Sequence, residues 1–187
     1  MIKAAERAIA AHGLAGLRAR DLARETGVAL GAIYNLVEDL DELTLRVASR
    51  TLARFDAALA ASATGAITTR AEAIERLVAI ARAYRLFASQ NLNLWRALFE
   101  HRTPKPTPEW AKADQLALFR HVVTPLEPLT PQMNVEQRLL FARSFFAAVH
   151  GVVLLGLDEK FIGAPIALLD AEVERIVRLV CAGLSHQ

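Results

Sequence analysis

The sequence predicts an all-α protein: an N-terminal three-helix helix-turn-helix head, residues 1–50, joined to a larger helical domain, residues 51–187, with about nine helices in total. Three observations carry this expectation. Hydrophobic residues make up 53% of the 187, with Ala and Leu dominant, and β-branched or aromatic runs at strand spacing are scarce. Apolar positions recur three and four apart in stretches closed by Gly or Pro. The stretch Leu17–Leu43, LRARDLARETGVALGAIYNLVEDLDEL, packs two short helical patterns around Thr26-Gly27-Val28 and then turns into a long third one.

Each element has a local reason. Ala5, Ala8 and Ile9 share one face of a helix over about Ile2–His12, and Gly13 stops it. Leu14 and Leu17 in the connection are expected to plug a small core. A second helix over about Ala19–Thr26 points Leu22 and Ala23 inward and leaves Arg20 and Arg24 on an exposed face. Gly27 supplies the left-handed turn and Val28 its hydrophobic plug. The third helix covers about Leu30–Asn35. A long helix then starts near Asp39, where Asp39 and Glu42 have capping-box spacing, and reaches about Ser62.

Thr68 or Thr69 with Glu72 caps a further helix over about Arg70–Ser89. A short aromatic helix follows over Leu92–Glu100. Three prolines in Thr103–Pro108 force an irregular connection. The apolar pattern resumes over about Glu109–Val123 and is broken again by Pro125, Pro128 and Pro131. Two strongly apolar helices complete the chain, over about Val135–Leu157 and beyond Pro165.

Composition excludes several classes. No apolar run reaches the roughly 20 residues a membrane-crossing helix needs. The opening MIKAAERAIAAHG carries Lys3, Glu6 and Arg7 and lacks the unbroken apolar core of a secretion signal. These features predict a cytoplasmic protein with no membrane partner. A single cysteine, Cys181, rules out an intramolecular disulfide and sits on an apolar stretch as a buried thiol would. There is no phosphate-loop pattern, no nucleophile elbow, no H-E-x-x-H, and the five histidines do not cluster. The sequence therefore predicts no catalytic residue, no metal ligand and no cofactor.

The net charge of +2 argues only weakly for a polyanionic partner, but its distribution is informative. Through Asn35 the basic residues Lys3, Arg7, Arg18, Arg20 and Arg24 outnumber Glu6, Asp21 and Glu25; the acidic block Glu38-Asp39-Leu40-Asp41-Glu42 follows at once. In a helix-turn-helix the second helix enters the major groove and the first crosses the backbone. Here the reading helix begins Ala29-Leu30-Gly31, where small residues allow close approach. Tyr34 can meet a phosphate or a thymine methyl, and Asn35 can bond a phosphate or base edge. Arg18 and Arg20 are placed for phosphate. The partner implied is a double-stranded DNA operator. The alternative is a generic helical bundle with these residues on an ordinary surface.

At this point the sequence resembles the TetR family of bacterial transcriptional regulators. The match rests on Ala5 and Ala11-His12-Gly13, on Leu22-Ala23-Arg24-Glu25-Thr26-Gly27-Val28, on Gly31-Ala32-Ile33-Tyr34, and on Leu43. It is strong over about residues 2–50; beyond them it rests on helix order and Val149-His150-Gly151. The resemblance implies a repressor released by a small, largely apolar ligand that the body encloses, acting as a homodimer. It departs from the family where a histidine, an aromatic and then a phosphate-binding lysine are usual: the matched positions here are Leu36, Val37 and Leu40. That departure weakens the cationic contribution to DNA affinity. It keeps open a second reading, a helical small-molecule-binding dimer with a degenerate head.

Within the body, Tyr84, Phe87, Trp95, Phe99, Trp110 and Phe119 concentrate aromatic surface in a proline-broken segment, as an apolar effector pocket would. Asn91, Asn93, Arg96, His101 and His121 are candidate polar contacts, with helix capping, solvent exposure or core hydrogen bonding as the alternatives. His121 joins the six aromatics as an expected ligand contact. The helix over Val135–Leu157 has more apolar surface than one core face needs, and Ala147, Ala148 and Gly151 permit close helix approach. Phe146, His150, Val153, Arg175 and Ile176 are the expected dimer contacts. The alternative is a central helix of a monomer, with His150 hydrogen-bonded in the core.

Overall fold

Ten α-helices and three short 3₁₀ turns form the regular structure of the computed structural model, which describes residues 1–35 and 37–184. Leu36, one of the departures from the family pattern, lies outside the described residues. The helices are α1 (Ile2–His12), α2 (Ala19–Thr26), α3 (Leu30–Ile33), α4 (Leu40–Ser62), α5 (Arg70–Gln90), α6 (Leu92–Glu100), α7 (Glu109–Ala117), α8 (Arg120–Leu126), α9 (Val135–Leu157) and α10 (Leu169–Gly183). The chain divides into two compact units. One holds Met1–Arg54 with Gln90–Gln115, the other Phe55–Ser89 with Leu116–Gln187.

Helix ends follow local chemistry. Gly27 adopts φ 70°, ψ 17° after α2, and the N–H of Val28 reaches back to the carbonyl of Ala23. At α4 the Asp39 side chain accepts the N–H of Glu42 at 2.8 Å. The Glu42 carboxylate reaches one residue further back than a standard capping box, to the N–H of Glu38 at 2.6 Å. Before α5, Glu72 accepts the N–H groups of Thr68 and Thr69, both at 2.8 Å, and the Thr68 hydroxyl at 2.7 Å. The Thr69 hydroxyl accepts the N–H of Glu72. Asn134 and Gln137 form a full box at α9, with both bonds at 2.9 Å.

Three expected boundaries shift. The regular part of α3 closes at Ile33, leaving Tyr34 and Asn35 in the following turn. The pattern over Glu109–Val123 is two helices, because N–H groups at Phe119, His121 and Val122 bond three residues back and tighten the backbone between α7 and α8. Pro125 lies inside the last turn of α8 instead of in the link beyond it.

The first unit is built on a core of Ala4, Ala5 and Ile9 from α1, Leu22 from α2, Ile33 from α3, and Val37, Leu43 and Val47 at and along α4. Leu94 and Ala97 of α6 complete it, so this unit holds more than residues 1–50. Leu14, Leu17 and Val28 pack against that core as plugs. Leu40 does so as well, which gives its apolar side chain a packing role. Glu6 of α1 is clasped by Arg50 at 2.9 Å and by Arg54, Arg7 binds Glu25 at 2.6 Å, and Asn93 donates to the Ala10 carbonyl at 2.9 Å.

The second unit centres on α9 packed against α10 and α8. Val153, Leu169, Val173, Val177 and Cys181 are buried there, and burial pushes the Cys181 thiol up to about 11, so it is protonated and unreactive. α5 and α10 are cross-linked along their length: Arg70 to the Cys181 carbonyl, Arg178 to Glu75, Arg82 to Glu174, and Arg85 to Asp170. Partner numbers fall on α10 as they rise on α5, so the two run antiparallel. Arg138 binds the buried Thr130 hydroxyl and the carbonyls of Thr130 and Met133, pinning the link before α9.

α9 is the one described helix long and apolar enough, by length and composition, to cross a membrane, with a mean hydropathy of 1.8 over its most apolar stretch. The sequence itself holds no unbroken apolar run of that length. Arg143, Ser144 and His150 interrupt the run in the sequence, yet helical continuity joins its apolar parts. Only 28% of that stretch is buried within the chain.

Two outcomes follow from these contacts. A Cβ at Gly163 would overlap the backbone of Leu155, so Gly163→Ala should destabilise the fold by about 1–3 kcal/mol, read as a lower denaturant midpoint. Bonds from the Thr68 hydroxyl and from the Thr68 and Thr69 N–H groups pull the Glu72 carboxyl from 4.5 to about 2. A depressed folded value gives stability that is full above about pH 4.5 and lost as the pH falls through about 2. Glu72→Gln should therefore be less stable than wild type at neutral pH, and the gap should close by about pH 2. Urea unfolding at a series of pH values measures it.

Candidate nucleic-acid interface and aromatic cluster

In the first unit, α2 and α3 pack together around the left-handed Gly27 turn. Ile33 is buried and anchors α3 from below, while Ala29, Leu30, Gly31, Tyr34 and Asn35 are all exposed. Tyr34 is 51% exposed and Leu30 42%, large apolar surfaces left open on a very short element. A Cβ added at Gly31 would meet nothing within 4 Å, so the surface there is bare backbone that a groove edge can approach closely. Arg7 and Arg24 are held by Glu25 and Asp21. Arg18 and Arg20 are exposed and carry no ion pair among the described residues. All seven residues expected to read DNA thus lie on the surface of one unit, with two cations free for phosphate.

The residues expected to contact an effector divide between the units. Trp95, Phe99 and Trp110 belong to the first: Trp95 is fully buried, Phe99 meets it edge-on with centroids 5.5 Å apart, and Trp110 is 41% exposed. Tyr84, Phe87, Phe119 and His121 belong to the second. There Phe55 of α4 stacks on Phe87 at 4.9 Å and meets Tyr84 at 5.5 Å. Phe146 of α9 meets Tyr84 at 5.4 Å and Phe119 at 5.8 Å. The Tyr84 hydroxyl and His150 Nδ1 are hydrogen-bonded at 2.6 Å, and burial lowers the pKa of His150, favouring the neutral ring.

Phe146 and His150, expected at a dimer interface, therefore sit in this aromatic cluster. They are four apart on α9, both half-buried at the edge of its buried face. Phe55 was missed because it reads as an ordinary core position of α4. His121 is held by Asp56, Nε2 to Oδ1 at 2.7 Å, beside the Arg120–Asp56 pair. Burial would raise the Asp56 carboxyl, but His121 and Arg120 together hold it low. Val153 is completely buried in its own unit, which removes it from any surface. Arg175 is exposed beside Glu172, and Ile176 is half-buried. Among the described residues no group of three His, Cys, Asp or Glu side chains is placed to hold a metal ion.

Residues 77–180 match the family model described as tetracyclin repressor-like, C-terminal domain. The match covers the body, the part whose resemblance is thinnest by motif. No curated protein sequence matches the chain. Among solved structures, a protein of unknown function from Rhodococcus sp. RHA1 is similar over 98% of this chain and 90% of its own, at 23% identity and a TM-score of 0.72. A TetR transcriptional regulator from the same organism is similar over 96% and 92%, at 16% identity and a TM-score of 0.63. The fatty acid degradation regulator FadR from Bacillus halodurans is similar over 97% and 96%, at 18% identity and a TM-score of 0.63. With a family model matched over more than half its length and a helix-turn-helix head in place, the chain belongs to the TetR family of transcriptional regulators and has the fold of its DNA-binding members.

Proposed function

We propose that the protein is a homodimeric, cytoplasmic repressor without catalytic activity, which holds a DNA operator through Arg18, Arg20, Ala29, Leu30, Gly31, Tyr34 and Asn35 and leaves it when a small, largely apolar ligand binds the body. The observation that carries this reading is the open face of α3, with bare backbone at Gly31, exposed Tyr34, and Arg18 and Arg20 without an ion pair among the described residues. Half or more of protein–DNA hydrogen bonds go to phosphate and sugar, and such a face supplies those donors around a helix small enough to enter the major groove.

The effector reading is supported by the cluster around Tyr84. It joins apolar rings from α4, α5 and α9 to one polar pair, Tyr84 and His150, a combination that gives affinity through apolar area and orientation through a few polar atoms. Trp95, Phe99 and Trp110 are less suited, since they belong to the other unit. One of the similar structures is a fatty acid degradation regulator; an acyl chain falls within the effector class we propose. α4 is one continuous helix from the head into the body, so a ligand that prefers one position of its body half biases the head.

We place the dimer contact on the exposed faces of α9 and α10. Leu140, Ala147 and Ala148 on α9 and Arg175 and Leu179 on α10 recur at helical spacing on the surface, with Ile176 at the edge. An isologous four-helix contact would cover the apolar surface of α9. The acidic block Glu38–Glu42 is the observation that favours the second reading, a small-molecule-binding dimer whose head no longer holds DNA.

Binding to duplex DNA from upstream of the protein's own coding region, followed across a salt series, tests the reading. Saturable binding tighter than to random duplex is expected, weakening as salt rises. Tyr34→Ala should reduce affinity about tenfold and leave the melting temperature unchanged, because the ring is exposed. A folded dimer that binds no duplex even at low salt would establish the second reading instead. For the effector, a panel of fatty acids and small aromatic compounds is screened for a raised melting temperature and release of DNA. Tyr84→Phe, which removes one hydrogen bond, should weaken the active compound about fivefold; an unchanged response would place the ligand elsewhere.

A further inference from the structure

The head turns from its reading helix into α4 through Glu38, Asp39, Asp41 and Glu42, four carboxylates in five residues. Asp39 is four residues beyond Asn35, so it lies within about 14 Å of it even along fully extended chain. A phosphate backbone docked on Tyr34 and Asn35 would meet this block inside about two screening lengths at physiological salt. Left bare, the block would repel the very polyanion the head is shaped to approach.

It is not bare. Lys105 comes from the proline-stiffened link between α6 and α7, 66 and 67 residues away in the chain. Its Nζ lies 2.7 Å from Glu38 Oε1 and 2.6 Å from Asp39 Oδ2. Pro104 and Pro106 flank it and restrict its backbone, and its N–H is held by the Thr103 hydroxyl at 3.2 Å. Arg46 binds Glu42 at 2.6 Å, and His101 Nε2 stands 3.7 Å from Asp41. About half of the Lys105 side chain remains open to solvent, so its field reaches outward as well as into the pair.

We infer that Lys105 is an electrostatic cover for the DNA-facing edge of the head: by bridging Glu38 and Asp39 it lets the phosphate backbone approach the reading helix. The inference rests on the DNA-binding reading above. It gives the link between α6 and α7 a direct part in operator affinity, and it supplies from a distant segment a cation that the start of α4 lacks. The effect is one of charge at short range, so it must fade as salt shortens the screening length.

The test is binding of the full-length chain and its variants to the upstream duplex across the salt series. Lys105→Ala should bind three- to tenfold more weakly than wild type at about 50 mM salt, with the ratio narrowing toward unity above about 200 mM. Combining Lys105→Ala with Glu38→Gln and Asp39→Asn should restore affinity to within about twofold, since the carboxylates that needed covering are gone. Asparagine keeps an oxygen to accept the Glu42 N–H, so the helix cap survives. Lys112→Ala, which removes another exposed cation of the same unit, should leave binding unchanged. Melting temperatures confirm that each variant is folded. Wild-type affinity in Lys105→Ala, or a loss that neither salt nor the carboxamide variants relieve, overturns the inference while leaving DNA binding intact. Failure of the wild-type chain to bind any duplex removes both.

Discussion

The continuity of α4 is the constraint on which the rest depends. Its 23 residues form an uninterrupted hydrogen-bonded helix of about 34 Å, passing from the first unit into the second at Arg54–Phe55. One length of its buried face, Leu43 and Val47, closes the core around Ile9, Leu22 and Ile33. Another, Phe55 and Leu59, is committed to the second unit, where Phe55 reaches Tyr84 and Phe87. Thr44 and Thr51 lie on the buried side without cost because their hydroxyls bond back to the carbonyls of Leu40 and Val47. Backbone hydrogen bonds run unbroken through the passage at Arg54–Phe55.

Within each unit the surfaces are organised by charge. Individual exposed ion pairs contribute little, about 0–1 kcal/mol each. Their arrangement matters more than their sum. Arg50 and Arg54 on α4 share Glu6 of α1, orienting the first helix on the long one; burial alone would raise the Glu6 carboxyl, and these two guanidinium groups hold it low. The antiparallel ladder between α5 and α10 sets the register of the two helices through charged side chains, one of which reaches a backbone carbonyl. In the head, pairing consumes Arg7 and Arg24 and, among the described residues, leaves Arg18 and Arg20 available.

Most helix limits were legible in the sequence because each has a local signal. Gly13 and Gly27 take positive φ, Asn134 caps α9 in a full box, and the i, i+4 apolar stripe of α1 ends where its glycine stands. The break between α7 and α8 was invisible: residues 117–120 contain neither Gly nor Pro, and the helix tightens into three-residue turns where the chain passes between units. The candidate site was legible to different depths. The open face of α3 followed from small residues next to a turn, whereas the aromatic residues between 84 and 119 read as one group and are divided between two units.

By itself the sequence determined what depends on neighbours along the chain: all-helical architecture, the helix-turn-helix spacing, the exposed face of α3 and the lone buried thiol. Periodicity and capping are short-range, so one chain segment specifies them. Only the tertiary structure decided which distant segments meet. It brought Leu94 and Ala97 into the head core, Lys105 onto Glu38 and Asp39, and Phe146 with His150 onto Tyr84. These contacts join residues 47 or more positions apart, and burial and charge act through space, where a pattern of threes and fours holds no record of the partner.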